Sequence, residues 1–289
     1  MNQTFLIAIA AVILAPLAGG ILSGIDRRLT ARFQSRTGPP VMQPIYDILK
    51  LWAKEPMIAH KLQPLCVYIY LASAAVSVGL FFGQSDLLLI FFVQAVGAVF
   101  LVIGAMIVPS PYSQIGANRE LLQILTYEPL IILVLSGIHM QTGSFEISKI
   151  YAMDKPLLLS LPLLFIVLGY ALTIKLRKSP FDISASHHAH QELVRGVYTE
   201  YSGRMLALIE IAHLYEVVLI LGLCSLFWST GVIGMAVLLS ITYFIEIIVD
   251  NVYARMNFRW MIKSVWSIGI ILSVVNLVWL YIQNSGGKI

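Results

Sequence analysis

Long apolar runs recur along the whole chain and limit its fold more than any other feature. A helix needs about 20 apolar residues to cross about 30 Å of hydrocarbon. Runs of that length predict eight spans: Phe5–Ile25, Leu65–Phe82, Leu87–Val108, Glu120–His139, Leu157–Leu176, Met205–Trp228, Val232–Asp250 and Ser264–Gln283. With 58% hydrophobic residues, a water-soluble fold is disfavoured. We expect an all-α integral membrane protein with one multi-spanning domain over residues 1–289.

Basic residues are distributed unevenly between the two ends of these predicted spans. Of the 19 Lys and Arg residues, only Lys149, Lys155 and Lys288 fall on one side. Because Lys and Arg resist translocation, the loops that carry the others should be cytoplasmic. The pattern predicts a multi-pass plasma-membrane protein with both termini outside the cytoplasm and a retained first helix. The net charge of +4 then reflects topology, so no nucleic-acid partner is expected.

Two predicted cytoplasmic connections, residues 26–64 and 177–203, are too long to be simple turns. Long ordered connections are usually functional. In the first connection, Ile45, Ile48, Leu49 and Trp52 recur at helical spacing with charged residues between them. This spacing predicts a short amphipathic helix, which either lies at the membrane interface or packs on neighbouring spans.

Several carboxylates fall inside the predicted spans. A charge at the centre of a bilayer costs at least about 2.5–3.5 kcal/mol, so each of these acids is expected to have a compensating partner or a functional role. Glu128 and Glu216 lie closest to the predicted midplane and are the hardest to explain by packing. The wider set with its neighbouring histidine comprises Glu128, Glu210, His213, Glu216, Glu246 and Asp250.

The spacing of these groups suggests proton exchange between neighbours. Glu246 and Asp250 are four residues apart and share a helix face, while Glu210 and His213 are three apart. One interpretation is a proton relay through hydrated protein. The other is that each acid packs between helices and pairs with an Arg or a backbone group.

The connection between the fifth and sixth predicted spans is rich in titratable residues: Asp182, His187, His188, His190, Glu192 and Glu200. The HHAH run has the spacing of half a zinc site, but no second Cys or His cluster lies nearby. A patch that changes charge near neutral pH is the simpler interpretation, and no metal site is predicted. The two cysteines, Cys66 and Cys224, are far apart in sequence, so redox centres are expected in other chains.

Three segments together resemble a known family. They are RTGPPVMQPIYDILKLWAKE after the first span, SQIGANRELLQILTYEP at the fourth, and SPFD followed by QELVRGVYTEYSG after the fifth. They are similar to the membrane subunit of respiratory complex I that borders its quinone chamber, a family shared with membrane-bound energy-converting nickel-iron hydrogenases. Quinone-reducing members usually carry PFDLPEAEQELVAG. The ISASHHAH insertion before QELVRG resembles the hydrogenase branch instead.

The resemblance implies a membrane anchor and ion-coupling subunit of a ferredoxin-linked nickel-iron hydrogenase, with no redox centre of its own. Iron-sulfur clusters and the nickel-iron centre would lie in partner subunits. Those partners would be the hydrogenase large and small subunits, iron-sulfur subunits and an antiporter-like membrane subunit, with ferredoxin acting indirectly. The alternatives are the quinone-site subunit of complex I and an autonomous secondary transporter, which is disfavoured because no matching pair of interrupted spans is evident.

The resemblance also implies roles for individual residues. The buried path for protons or sodium ions would comprise Glu120, Glu128, Glu210, Glu216, Glu246 and Asp250. The loop residues Asp182, Glu192 and Glu200 would face the soluble arm, and Arg36 and Arg119 are the candidate charge partners of the acids.

Overall fold

The computed structural model describes residues 3–184 and 195–286, and these ranges are almost entirely helical. His187, His188, His190 and Glu192 lie outside the described residues. The helices are α1 Gln3–Phe33, α2 Gln43–Trp52, α3 Gln63–Phe82, α4 Leu87–Met106, α5 Pro111–Thr142, α6 Ile147–Tyr151, α7 Leu157–Ser160, α8 Pro162–Lys175, α9 Gly203–Ser225, α10 Val232–Val252 and α11 Phe258–Gly286. Short 3-10 turns occupy Gly196–Tyr198 and Leu226–Trp228.

Seven helices of the described chain are long and apolar enough to cross a membrane: α1, α3, α4, α5, α9, α10 and α11. The remaining predicted span, the fifth, Leu157–Leu176, is present as α7 followed by the 14-residue α8. Pro162 explains the break, because proline has no N–H and disfavours a helical residue before it. Leu161 accordingly leaves the helical region, with φ −125° and ψ 44°. The all-α multi-spanning fold is confirmed.

The break between α7 and α8 is held by one side chain of α11. Asn276 is fully buried. Its Oδ1 accepts hydrogen bonds from the N–H groups of Leu163 and Leu164 at 3.0 and 3.1 Å, and its Nδ2 donates to the carbonyl of Ser160 at 3.0 Å. Since an unpaired backbone group in hydrocarbon is costly, Asn276 lets a helix end inside the bundle.

Helix α9 forms the centre of the bundle. Its span is 67% buried, against 17% for α1, 22% for α10 and 28% for α11. It packs against α1, α2, α3, α8 and α10, while α5 packs against α4, α8 and α11. Polar residues on α9 are therefore surrounded by protein on several sides.

The predicted amphipathic helix forms as α2. Pro44 is buried, and Ile48 and Leu51 are half-buried against the bundle. Tyr46 and Leu49 are exposed on the other side. Helix α2 packs on α1 and α9, so packing on neighbouring spans accounts for one apolar face.

The start of α9 is fixed by a close backbone approach. Gly203 has φ +50°, and a Cβ there would lie 2.5 Å from the Glu55 carbonyl oxygen. The Ser202 hydroxyl accepts a hydrogen bond from the Met57 N–H at 2.8 Å, and the Glu200 carbonyl accepts one from Gln63 at 3.2 Å. The TEYSG sequence thus joins α9 to the connection before α3, and glycine is required at position 203.

Replacing Asn276 with leucine should destabilise the bundle by about 1–3 kcal/mol, because two N–H groups and a carbonyl would lose their partner. Thermal unfolding of the purified protein in mild detergent measures the effect. Asn118→Leu, at an exposed position of α5, is the matched control. Equal melting temperatures for the two variants would contradict this account of the helix break.

Candidate functional site

A buried ion pair lies inside the bundle at Glu216, about 20 Å along α9 from Gly203. Its Oε1 is 3.5 Å from Lys175 Nζ, and the two side chains are 6% and 8% exposed. Gln94 of α4 donates to the same oxygen at 2.5 Å, and His213 Nδ1 lies 3.7 Å from Oε2. Nitrogen groups from three helices thus surround this carboxylate, which compensates part of the cost of its burial.

A second buried carboxylate, Glu120 of α5, pairs with Arg177. The guanidinium donates to Glu120 Oε1 at 3.0 Å, and the Ser184 hydroxyl donates to Oε2. The two side chains of the ion pair are 10% and 7% exposed. Arg177 also lies 4.7 Å from the centre of the Tyr198 ring. The segment after α8 therefore folds back into the bundle and carries a cation to Glu120.

Two narrow cavities join these carboxylates into a line. One of about 10 Å³ is lined by Glu120, Arg177, Lys175 and Glu216. The other, of about 30 Å³, is lined by Lys175, Glu216 and the half-buried Glu128. Each has room for about one water molecule. We call Glu120, Glu216 and Glu128 the carboxylate line.

A larger cavity of about 380 Å³ lies at the basic end of the bundle, which carries Arg27, Lys50 and Arg255. Glu210 and His213 both line it, and His213 also reaches Glu216, so this residue connects the large cavity to the carboxylate line. The other charged lining residues are Asp26, Arg27, Asp47, Lys50, Lys54, Arg177, Lys178, Asp182, Arg195 and Asp250.

Glu246 and Asp250 of α10 occupy different surroundings. Asp250 lines the large cavity and accepts a hydrogen bond from the Ser179 N–H at 2.8 Å. Glu246 is 5% exposed. Lys178 forms an ion pair with Asp26 at 2.9 Å. The acids of α10 thus border a second charged cluster rather than the carboxylate line.

The SPFD segment, residues 179–182, docks on the connection between α10 and α11. Asp182 is 5% exposed, and both of its oxygens accept hydrogen bonds from Arg255 Nε at 2.8 and 2.9 Å. The Pro180 carbonyl accepts a hydrogen bond from the Met256 N–H at 3.0 Å. Burial raises the pKa of the Asp182 carboxyl, and the hydrogen bonds from Arg255 act in the opposite direction.

That Asp182 faces the soluble arm stays a prediction; within this chain the residue pairs with Arg255 and lines the large cavity. The segment turns inward after α8, and its carboxylate is bound by Arg255 inside the chain. Glu200 is half-buried. Of the expected charge partners, Arg36 is exposed and donates to Gln34, while Arg119 donates to the Ile183 carbonyl at 3.5 Å.

The basic residues at the end of α8 were not predicted to belong to the site. Lys175, Arg177 and Lys178 were counted only as residues that set the topology. Lys175 and Arg177 each form an ion pair with a buried acid, and Lys178 pairs with the half-buried Asp26. The available signal was the KLRK sequence at residues 175–178, at the end of the fifth predicted span. A chain with several acids inside its spans needs cations nearby to pair with them. In residues 3–184 and 195–286, no cluster of three His, Cys, Asp or Glu side chains is arranged to hold a metal ion.

The fold and site define a multi-pass membrane protein with charge pairs buried between its spans. A family model described as NADH dehydrogenase matches residues 5–281. Hydrogenase-4 component C of Escherichia coli (strain K12) is 32% identical over 216 residues, covering 70% of this chain and 68% of that protein. An NADH-quinone oxidoreductase subunit of Dehalococcoides mccartyi (strain CBDB1) is 30% identical over 227 residues, covering 72% of this chain and 64% of that protein.

Two further comparisons agree with this match. Formate hydrogenlyase subunit 4 of Escherichia coli (strain K12) is 33% identical over 199 residues, covering 63% of this chain and 64% of that protein. A chain of the membrane-bound sulfane sulfur reductase, an archaeal respiratory membrane complex, has the same fold. Its TM-score is 0.85 at 24% identity, over 96% of this chain and 100% of that one.

The chain therefore belongs to the NADH dehydrogenase subunit 1 family. It is a membrane subunit of the complex I-like or hydrogenase type. The resemblance inferred from the three sequence segments is confirmed at this level.

Replacing Arg255 with methionine should destabilise the protein by about 1–3 kcal/mol, because a buried carboxylate loses its cation while Arg255 itself is partly exposed. Protonation removes the uncompensated charge of Asp182, so the loss should shrink as the pH falls. Adding Asp182→Asn should restore most of the stability. Thermal unfolding at several pH values tests this, with Arg259→Met at an exposed position as the control. No recovery in the double variant would contradict it.

Proposed function

We infer that this chain is the membrane anchor and ion-coupling subunit of a multisubunit, ferredoxin-linked nickel-iron hydrogenase. The observation that carries the inference is the carboxylate line, which leads from a charged cavity into the membrane-spanning part of the bundle. Ionisable groups inside a membrane protein most often mark ion paths. The similarity to hydrogenase-4 component C and formate hydrogenlyase subunit 4 supports the hydrogenase branch.

The redox chemistry belongs to partner subunits in this proposal. The two cysteines of the chain lie on different helices, α3 and α9, so they do not form a ligand pair within one motif. Iron-sulfur clusters and the nickel-iron centre are assigned to the hydrogenase large and small subunits and to iron-sulfur subunits. An antiporter-like membrane subunit completes the complex, and ferredoxin supplies electrons indirectly.

Coupling in this proposal is electrostatic. The basic end is cytoplasmic and lies beneath the soluble arm, with both termini on the other side of the membrane. Electron transfer in the arm changes the charge above the large cavity, where Glu210 and His213 are placed to respond. Because His213 lies 3.7 Å from Glu216, a change in its protonation alters the field at the carboxylate line.

A quinone-site subunit of complex I is the second candidate. The large cavity of about 380 Å³ has the size of a small-molecule pocket, and an NADH-quinone oxidoreductase subunit is among the relatives. Such pockets are mainly apolar, however, whereas this cavity is lined by charged side chains from most of the helices and connections that form it. The charged lining argues against a quinone pocket at this place.

Purifying the complex through a tag on this chain separates the two candidates. The hydrogenase assignment expects nickel, a hydrogenase large subunit and ferredoxin-dependent hydrogen evolution in the preparation. Bound quinone together with an NADH-oxidising module would overturn it in favour of the complex I assignment.

Neutralising the acids of the carboxylate line should abolish ion transport and leave the redox chemistry largely unchanged. Glu128→Gln and Glu216→Gln should each abolish ion transport, because a glutamine side chain does not exchange a proton or hold a charge. Hydrogen evolution with artificial electron donors should be largely unchanged, since the redox centres lie elsewhere. Proteoliposomes containing the purified complex allow both measurements, with Glu146→Gln, an exposed residue at the other end, as the control. Normal transport in both variants would rule out the proposed path.

A further inference from the structure

Lys175 lies where the two narrow cavities of the carboxylate line meet. It lines the cavity shared with Glu120 and also the cavity shared with Glu128. Its ammonium is 3.5 Å from Glu216 and 5.4 Å from the centre of the Tyr127 ring. Tyr127 and Glu128 line the second of these cavities together with Lys175, so a second carboxylate borders the same space.

The charges around Lys175 do not balance when every acid is ionised. One of the three acids of the carboxylate line, Glu120, is already paired with Arg177. This leaves Glu216 and Glu128 to share the single ammonium of Lys175. With the His213 imidazole neutral, the remaining neighbours carry no charge: Gln94, His213, Tyr70 and Tyr127. Because a net charge in such surroundings is costly, the favoured state holds one extra proton on one of the two glutamates.

We propose that Lys175 is a charge-switching residue that pairs alternately with Glu216 and Glu128 and so decides which of them carries the proton. This inference rests on the proposed ion-coupling function. The structure holds the arrangement in which Lys175 pairs with Glu216. In the other arrangement, Lys175 pairs with Glu128 and Glu216 is protonated.

A side chain of this kind suits the role. Lysine carries a compact charge on a flexible four-carbon stem, so its ammonium moves without a backbone change. The Tyr127 ring lies beside the ammonium and offers a favourable cation–π surface during that movement. Arginine, with its planar fork, would instead hold one carboxylate in a fixed two-point contact.

The transfer step conserves both protons and charge. A proton leaves the Glu216 carboxyl and reaches the Glu128 carboxylate through one water molecule, and Lys175 then moves from Glu128 to Glu216. Lys175 keeps its own protons throughout. The surroundings of Glu216 favour a proton rather than a metal cation at this step. The groups that touch Glu216 are nitrogen groups rather than the oxygen ligands that a metal cation prefers.

The test uses Lys175→Met and Lys175→Arg in the complete complex reconstituted in liposomes. Membrane potential generated per electron transferred is the readout for coupling, and hydrogen evolution with artificial donors is the readout for the chemistry. Both variants should keep the chemistry and lose coupling by at least about tenfold, Met because the charge is absent and Arg because it stays on Glu216. Lys149→Met, a lysine that is 58% exposed, is the matched control.

The arginine variant distinguishes switching from a structural role. If Lys175 only stabilised Glu216, the Lys175→Arg variant would retain both the stability and the coupling of the wild-type complex. Wild-type coupling in that variant overturns the proposal. If Lys175→Arg retains coupling while Glu128→Gln and Glu216→Gln abolish it, the proposed function stands and only the switching role fails. If the glutamine variants also retain coupling, the carboxylate line itself is refuted.

Infrared spectroscopy gives a second test that needs no lysine variant. The proposal expects the Glu128 carboxyl group to be protonated at neutral pH in the resting protein. Its C=O stretch should be missing from the spectrum of Glu128→Gln and present in Glu146→Gln. A Glu128→Gln spectrum that retains the whole protonated carboxyl band would overturn the assignment of the proton.

Discussion

Pairing of buried and half-buried acids with the basic residues at the end of α8 is the interaction on which the rest of the structure depends. Lys175, Arg177 and Lys178 each reach an acid on a different helix: Glu216 on α9, Glu120 on α5 and Asp26 on α1. Removing one partner of such a pair leaves an uncompensated charge among apolar side chains. These pairs therefore fix the positions of three membrane helices relative to one another.

The short length of α8 makes this arrangement feasible. Pro162 starts the helix inside the bundle, and Asn276 binds the backbone groups that the break leaves free. The 14-residue α8 ends at Lys175, whose side chain is only 8% exposed, so the basic end of this helix lies inside the bundle. The SPFD segment then turns inward and is held by Arg255. Helix break, basic run and docked segment thus form one unit that supplies cations to the site.

The same charges give the proposed function its physical basis. In the carboxylate line, three acids share two cations within cavities that hold about one water each. Such a site responds strongly to a change in nearby charge, because the electrostatic interaction is weakly screened away from bulk water. His213 lies between the large cavity and the carboxylate line, so in this proposal the response begins at this residue. The family assignment allows the redox chemistry to reside in other subunits while this chain carries the coupling.

The sequence by itself determined the all-α membrane fold, the amphipathic helix, the family, and the presence of acids such as Glu128 and Glu216 inside spans. Hydropathy and short motifs are local properties, so one chain is sufficient to recognise them. Only the tertiary structure decided which cation each acid meets and that Asp182 pairs with Arg255 inside the chain. Glu120 and Arg177 are 57 residues apart, and Gln94 and Glu216 are 122 apart. Contacts at such separations depend on how helices pack, which no local pattern records.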